Sequence, residues 1–347
     1  MDALGLLEGL VKIYSPSYHE QEAAAFLVDW MQANGYHAFC DEVGNAVGSR
    51  GDGRREIVLL GHIDTVPGFI EVRREQDLLY ARGAVDAKGP LACFAAAGAQ
   101  VAPPPGWRIT VVGAVGEESQ SHGAVYRREK HHPEALIIGE PSKWDHITLG
   151  FKGSLWVDYK VQVTMAHTAS GLESAAEAAV RFWNDLVAWC ASVNPPESGP
   201  FYQLTPTLRE MNSSKDGFSE TAGLHIGIRL PPSISPDEVI SKIRGMKGAG
   251  LLEFVDPLPP FRAEKNTPLV RAFLSSVRKA GGSPVFSLKA GTSDMNVLAP
   301  AWGCPTVAYG PGDSTLDHTP NEHVSISEYL KGIAVTSEVL RQITSQA

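Results

Sequence analysis

Leu60-Gly61-His62-Ile63-Asp64-Thr65-Val66-Pro67 closes a short apolar run, Ile57-Val58-Leu59-Leu60, that reads as a buried strand. Gly61 lets the backbone turn where that strand is expected to end. A histidine and an aspartate two residues apart on extended backbone project the same way. The imidazole can then enter a shared pocket as a metal ligand. The carboxylate beside it can fix an imidazole tautomer or hold a reacting group. Alone, His-x-Asp is a weak signal, and its meaning depends on what the rest of the chain brings to the same place.

On either side of this stretch, strands and helices alternate. Leu4, Leu7, Leu10, Val11 and Tyr14 lie at helical spacing over residues 3–14. Ser17-x-x-Glu20 is a capping-box pattern, opening a helix that buries Phe26, Leu27, Trp30 and Met31 and stops at Gly35. Strands are expected near 36–40, 57–61, 78–80, 108–115 and 135–138. An alanine-rich helix is expected from Pro90 to just before Pro103. Continuous apolar strands alternating with helices predict an α/β fold with a mostly parallel central sheet flanked by helices.

Near residue 150 the pattern changes. Leu155 to Met165 alternates apolar and polar, as a strand with one wet face does. A helix over about 173–193, strands near 201–210 and 223–230, a capped helix from Pro236 and a strand at 251–255 follow. That order, βαββαβ, predicts a ferredoxin-like unit. The expected organisation is therefore a catalytic domain of residues 1–150 and 262–347 with an inserted lid and dimerisation domain at 151–261. A last helix is expected over about 326–344.

Composition excludes several classes. The chain has 347 residues, 43% of them hydrophobic and 20% charged, the profile of a globular protein rather than a disordered one. A net charge of −9 with no basic run argues against a nucleic-acid or membrane-surface binder. Cys40, Cys93, Cys190 and Cys304 lie far apart with no Cys-x-x-Cys pair, which fits a reducing compartment. Asp2 and Glu8 are foreign to the basic start of a signal peptide, and no apolar run is long enough to span a membrane. The expected location is the cytoplasm.

Acids and histidines recur where the strands of the first domain end. Asp86 lies just before a helix, Glu117-Glu118 follow Gly116, Glu140 follows Gly139, and His318 sits in a late loop. In open α/β sheets these loops form the ligand crevice. A single loop acid beside glycine is ordinarily solvated, and His131-His132 read as surface or hydrogen-bonded histidines. The joint recurrence at successive strand ends is what points to a site. Such residues suit two divalent ions sharing a bridging carboxylate, each with one histidine and one further acid. Mixed imidazole and carboxylate donors favour two Zn²⁺ per chain, with Co²⁺ or manganese able to substitute. A carboxylate left off the metals can take a proton from water.

These motifs resemble the metallopeptidase family of acetylornithine deacetylase, succinyl-diaminopimelate desuccinylase, aminoacylase and carboxypeptidase G, over essentially the whole chain. The resemblance implies that His62, Asp86, Glu118, Glu140 and His318 are metal ligands, with Asp86 bridging. It pairs His62, Asp86 and Glu140 on one metal and Asp86, Glu118 and His318 on the other. It implies that Asp64 is a catalytic aspartate behind His62 and that Glu117 is the general base. His167 resembles an inserted-domain histidine that polarises the scissile carbonyl, often across a dimer; otherwise it is a strand-end histidine packing on that domain. Arg229 resembles a clamp for a substrate carboxylate. Thr292, in Gly291-Thr292-Ser293-Asp294, resembles a substrate-lining residue, though that stretch also reads as a helix N-cap.

Within that family, Lys289 to Asn296 and Tyr309 to Ser314 resemble the hydrolases that release lysine or ornithine from the terminal glutamate of a small acidic amino-group carrier protein in lysine and arginine biosynthesis. The resemblance implies a homodimer acting on that carrier. Net −9 is an awkward charge for an acidic partner, and Arg54-Arg55, Arg73-Arg74 and Arg127-Arg128 are the candidates for a local basic rim. Two further readings stand beside this one. The first is a deacylase of small N-acyl amino acids such as acetylornithine or acetyl-lysine. The second is a non-catalytic binding protein, which would not need Glu117. A serine hydrolase is disfavoured because no Gly-x-Ser-x-Gly elbow occurs.

Overall fold

Every residue from Glu56 to His62 is buried in the strand Arg55–His62, which puts that strand in the middle of a covered sheet. The computed structural model describes residues 2–345. Arg55–His62 runs parallel to Trp107–Ala114 on one side and to Ala135–Gly139 on the other. Thr306–Tyr309 continues the parallel order beyond Ala135–Gly139, and His146–Phe151 pairs antiparallel to it. On the far side Ala46–Arg50 lies antiparallel to Trp107–Ala114 and pairs with His37–Cys40. The fold is thus mixed α/β with a mostly parallel centre. Burial at both alternating sets of strand positions means that both sheet faces are covered.

The helix Lys88–Ala99 is buried along nearly its whole length and packs among Ala3–Lys12, Arg55–His62 and Ile326–Thr344. Its closeness to the sheet explains Gly61. The strand runs through Gly61 to His62 rather than turning there. A Cβ at Gly61 would come 3.3 Å from the Leu91 Cβ, and one at Gly139 would come 3.0 Å from the Phe94 ring. The glycines let the helix approach.

Two helices differ from expectation at their ends. The first stops at Lys12, so Tyr14 leaves the helix and is exposed. The second spans Gln21–Ala33 with no side-chain cap at Glu20; the Ser17 hydroxyl is bonded to Asp64 instead. Short strands that the sequence reading did not expect include Ala46–Arg50, the charged Arg73–Glu75, His146–Phe151, Phe261–Arg262 and His323–Ser325.

Residues 151–262 and 289–292 gather into a second compact unit, and the remaining described residues form the first. The second unit holds a four-stranded antiparallel sheet in the order Thr205–Lys215, Ser219–Leu230, Gly153–Thr164, Leu251–Leu258. In chain order that is 2-3-1-4, the ferredoxin-like arrangement. Helices Ala175–Val193 and Pro236–Met246 each begin with a complete capping box, Ser174 with Glu177 and Ser235 with Glu238. Leu155, Val157, Tyr159 and Val161 turn one sheet face into the helices, where Phe182 stacks on Tyr159 with ring centroids 4.0 Å apart. Phe182→Ala empties the middle of this small core and is expected to cost about 3–5 kcal/mol in chemical denaturation. A loss of less than about 1 kcal/mol would show that the core does not depend on the stack.

Candidate metal centre

Three neighbouring parallel strands deliver side chains at their carboxyl ends. His62 closes Arg55–His62, Glu117 and Glu118 lie just past Trp107–Ala114, and Glu140 follows Ala135–Gly139. Asp86 comes from the turn entering Lys88–Ala99, and His318 from the loop between Thr306–Tyr309 and His323–Ser325.

Asp64 ties these strand ends together. Its buried carboxylate accepts the backbone N–H of Glu117 at 3.1 Å, that of Glu118 at 3.1 Å, and the Ser17 hydroxyl at 2.7 Å. Burial alone would raise its pKa. Pairing with His62, the Ser17 hydroxyl and the Glu118 N–H outweigh that and hold it below the usual carboxylate range. The His62 Nδ1 is 2.9 Å from the Asp64 carbonyl oxygen and 3.5 Å from its carboxylate. The peptide carbonyl, rather than the carboxylate, therefore fixes the tautomer at hydrogen-bond distance. The carboxylate is occupied by its three donors.

With Nδ1 so engaged, His62 turns Nε2 toward Asp86, 3.1 Å from Oδ1. His318 Nε2 lies 3.0 Å from Asp86 Oδ2 and 3.0 Å from Glu118 Oε1. Asp86 thus offers one oxygen to each imidazole, as a bridging carboxylate must. Its own backbone N–H and that of Val85 donate to the fully buried Glu322 at 3.0 and 2.9 Å, and Arg82 pairs with Glu322 at 2.7 Å. The Glu322 carboxylate therefore anchors the Asp86 turn, a role the sequence reading did not assign to it.

Among the described residues, two sets of donor atoms lie mutually close: His62 with Glu117 and Glu118, and Asp86 with Glu118 and His318. The second coincides with one of the family pairings. Glu140 falls in neither set, although it feels the same charge: burial first, then the negative charge of Asp86, push its carboxyl well above the usual range. Glu117 is raised likewise, by burial and by Glu140, Asp294 and Glu118, with His62 opposing.

Asp294 is the acid that sequence reading passed over. It is buried at the start of the helix Asp294–Trp302, one of its oxygens has no hydrogen-bond partner, and burial pushes its pKa up to about 7. The Ser293 beside it caps that helix, as the alternative reading of this loop expected. In the second unit, Arg229 donates to the Thr292 hydroxyl at 3.2 Å, so these two residues meet. His167 is exposed, its Nδ1 accepting the N–H of Ala169. His131 is buried rather than at the surface, bonded to Glu56 and Arg127.

The donor chemistry fits divalent cations. Carboxylates of Asp64, Asp86, Glu117, Glu118, Glu140 and Asp294 are gathered around two imidazoles. That negative charge raises the pKa of both imidazoles. Hydrogen bonds to Asp86 and Glu118 push His318 up to about 10. Burial alone would lower His62, yet pairing with Asp64 and Asp86 and the charge of Glu117 raise it well above its ordinary value. Mixed imidazole and carboxylate donors suit zinc, cobalt or manganese better than magnesium.

Comparison with known proteins bears on this geometry. The sequence pattern of peptidase family M20/M25/M40 matches residues 58–342. The LysW-lysine hydrolase of Deinococcus radiodurans is 43% identical, over 97% of this chain and 96% of that protein. The LysW-lysine/LysW-ornithine hydrolase of Saccharolobus islandicus is 31% identical over 94% and 92%. An M20 family metallo-carboxypeptidase from Sulfolobus solfataricus shares the fold, with a TM-score of 0.80 at 19% identity over 99% and 100% of the two chains.

A cation competes with protons for His62, His318 and Glu140, whose pKa values are all raised. Affinity for Zn²⁺ is therefore expected to rise with pH up to about 10, the value to which His318 is pushed, with protons released on binding. Titration calorimetry in buffers of different ionisation enthalpy measures both. Binding that is independent of pH and releases no proton would contradict this account of the charge.

Proposed function

The chain belongs to peptidase family M20/M25/M40 and is a hydrolase of that family; from that premise we propose that it releases lysine, or ornithine, from the terminal glutamate of a small acidic amino-group carrier protein. The observation that carries the chemical part is the Asp86 carboxylate, set between His62 and His318 with Glu118 on the same imidazole. The substrate part rests on the two hydrolase relatives, each matched over nearly its whole length.

We assign two Zn²⁺ to His62, Asp86, Glu118, Glu140 and His318, with Asp86 shared. When bound, the ions supply positive charge that polarises the scissile carbonyl and makes water a better acid. The remaining work falls to the chain. Glu117 takes a proton from the attacking water on its carboxylate and passes it to the departing amine, a role for which a raised pKa is suited. Asp64 holds the Glu117 and Glu118 backbones through its two oxygens, so the base and the ligand keep separate directions. Arg229 and Thr292 take the substrate carboxylate, and His167 the scissile carbonyl oxygen. The inserted unit supplies the contact of a homodimer through its sheet edge, the exposed strand Thr205–Lys215.

The protein is assigned to the cytoplasm. Its four cysteines are all free, and among the described residues no helix is long and apolar enough to cross a membrane. The test of substrate offers metal-loaded protein carrier-linked lysine and N-acetyl-lysine side by side. Carrier-linked lysine is expected to be the better substrate by at least about tenfold in kcat/KM. A preference for N-acetyl-lysine would make the protein a small-molecule deacylase, and turnover of neither would favour a binding protein.

A further inference from the structure

Asp64 gathers the backbone that carries Glu117 and Glu118. A second buried group gathers the segments that carry His62, Asp86 and His318. It is the ion pair of Arg82 and Glu322, 2.7 Å apart, with the Glu322 side chain fully buried and that of Arg82 10% exposed. Glu322 Oε1 accepts the Val85 and Asp86 N–H groups at 2.9 and 3.0 Å, and the carboxylate also takes the Gly83 N–H. Donors along a single turn therefore converge on one carboxylate, and Asp86 is the last of them.

Arg82 reaches the other two segments. Its Nε donates to the Gly68 carbonyl at 3.0 Å, on the stretch that runs on from His62 and Asp64. Its Nη1, besides meeting Glu322, donates to the Thr319 carbonyl at 3.3 Å, one residue past His318. Gly83, with a φ of +82°, lets the Asp86 turn lie against Thr65, where a Cβ would come 2.9 Å from the Thr65 Cγ2. One guanidinium and one carboxylate thus join three distant stretches of chain.

Those stretches set the Asp86 carboxylate between two imidazoles, 3.1 Å from His62 Nε2 and 3.0 Å from His318 Nε2. His318 has the greater need of support. Its side chain is half exposed, and its φ of +61° lies in the left-handed region that a residue with a Cβ avoids. Backbone in that region persists where its surroundings fix it. Here Thr319 does so, its N–H and hydroxyl both donating to the Leu316 carbonyl while Arg82 holds its own carbonyl.

A buried ion pair is a weak source of stability, because removing two charges from water offsets much of their attraction. What it does well is fix direction, since each charge and each hydrogen bond must keep its partner. We propose that the Arg82–Glu322 pair is the positioning element that couples the two metal positions, presetting His62, Asp86 and His318 so that neither ion has to order its ligands on arrival. The proposal rests on the assignment of two ions to these residues and adds what holds both positions in one geometry.

The test strips metal from the full chain and titrates it with Co²⁺ against a chromophoric chelator, following both binding steps and the visible absorption of the bound ion. The variants are Arg82→Met, Arg82→Lys, Glu322→Gln and the Arg82→Met/Glu322→Gln double. Ile109→Ala is the control: it opens the core of the same unit near the start of the strand Trp107–Ala114, away from the site. The unfolding temperature of each metal-free protein is recorded alongside. Arg82→Met and Glu322→Gln are each expected to weaken both steps about 10–100-fold and to change the Co²⁺ spectrum. The double variant falls no further than the weaker single, because the two residues act as one unit. Arg82→Lys keeps the charge, but one ammonium replaces two nitrogens that bond in different directions, so a loss of at least about tenfold is expected there too. Ile109→Ala lowers the unfolding temperature and leaves both affinities within about twofold.

Parental affinity in either Arg82 variant overturns the proposal, as does a loss confined to one binding step. Losses that add in full in the double variant, or an equal loss in Ile109→Ala, overturn it as well. Should Glu322→Gln not fold, Arg82→Lys decides alone. A parent that binds a single Co²⁺ overturns the assignment of two ions, and the coupling with it.

Discussion

One buried carboxylate, that of Asp64, ties together three separate parts of the chain. The Glu117 and Glu118 N–H groups come from the end of one strand, Ser17 from the turn before the second helix, and Asp64 itself lies just past the strand that ends in His62. A buried, ionised carboxylate is costly unless its lone pairs are filled. Filling them forces these segments into one arrangement. Adjacent residues on an irregular turn would otherwise be free to exchange positions. With each backbone N–H pinned to a different Asp64 oxygen, Glu117 and Glu118 keep distinct environments.

Around that anchor the chain collects more negative charge than it can hold without compensation. The acids raise the pKa values of the imidazoles they pair with, and burial raises those of the Glu117 and Glu140 carboxyls. Asp294 belongs to the same field, with its carboxyl raised to about 7 by burial. Glu322, paired with Arg82, accepts the Val85 and Asp86 N–H groups and so holds the turn that carries the Asp86 carboxylate.

Much of this was legible in the chain because it is local. Apolar runs that stop at glycine and then carry an acid or histidine give strand ends, and strand ends of a parallel sheet share one edge. The C-terminal helix and the 2-3-1-4 sheet of the inserted unit follow from patterns of similar reach. What could not be read depends on partners far apart in sequence. Ser17 looked like a helix cap because Glu20 follows at the right spacing, yet its hydroxyl goes to Asp64. Glu322 lies 236 positions from the Asp86 N–H it accepts. His131 was indistinguishable from a surface histidine until Glu56 and Arg127 closed on it. Gly61 looked like a turn because nothing in its own segment reveals the helix packed against it.

The separation of Glu117 from Glu118 is the central claim, and a metal titration of turnover on Glu117→Gln and Glu118→Gln, run side by side, tests it most directly. Glu117→Gln keeps shape and hydrogen bonding but removes the proton acceptor. It is expected to bind metal as the parent does and to lose about 10²–10⁴-fold in kcat at every metal concentration. Glu118→Gln offers a neutral amide in place of a carboxylate 3.0 Å from the His318 Nε2, so its activity is expected to fall through weak metal binding and to recover in part as zinc or cobalt is raised. Rescue of Glu117→Gln by excess metal, with none for Glu118→Gln, would contradict the account.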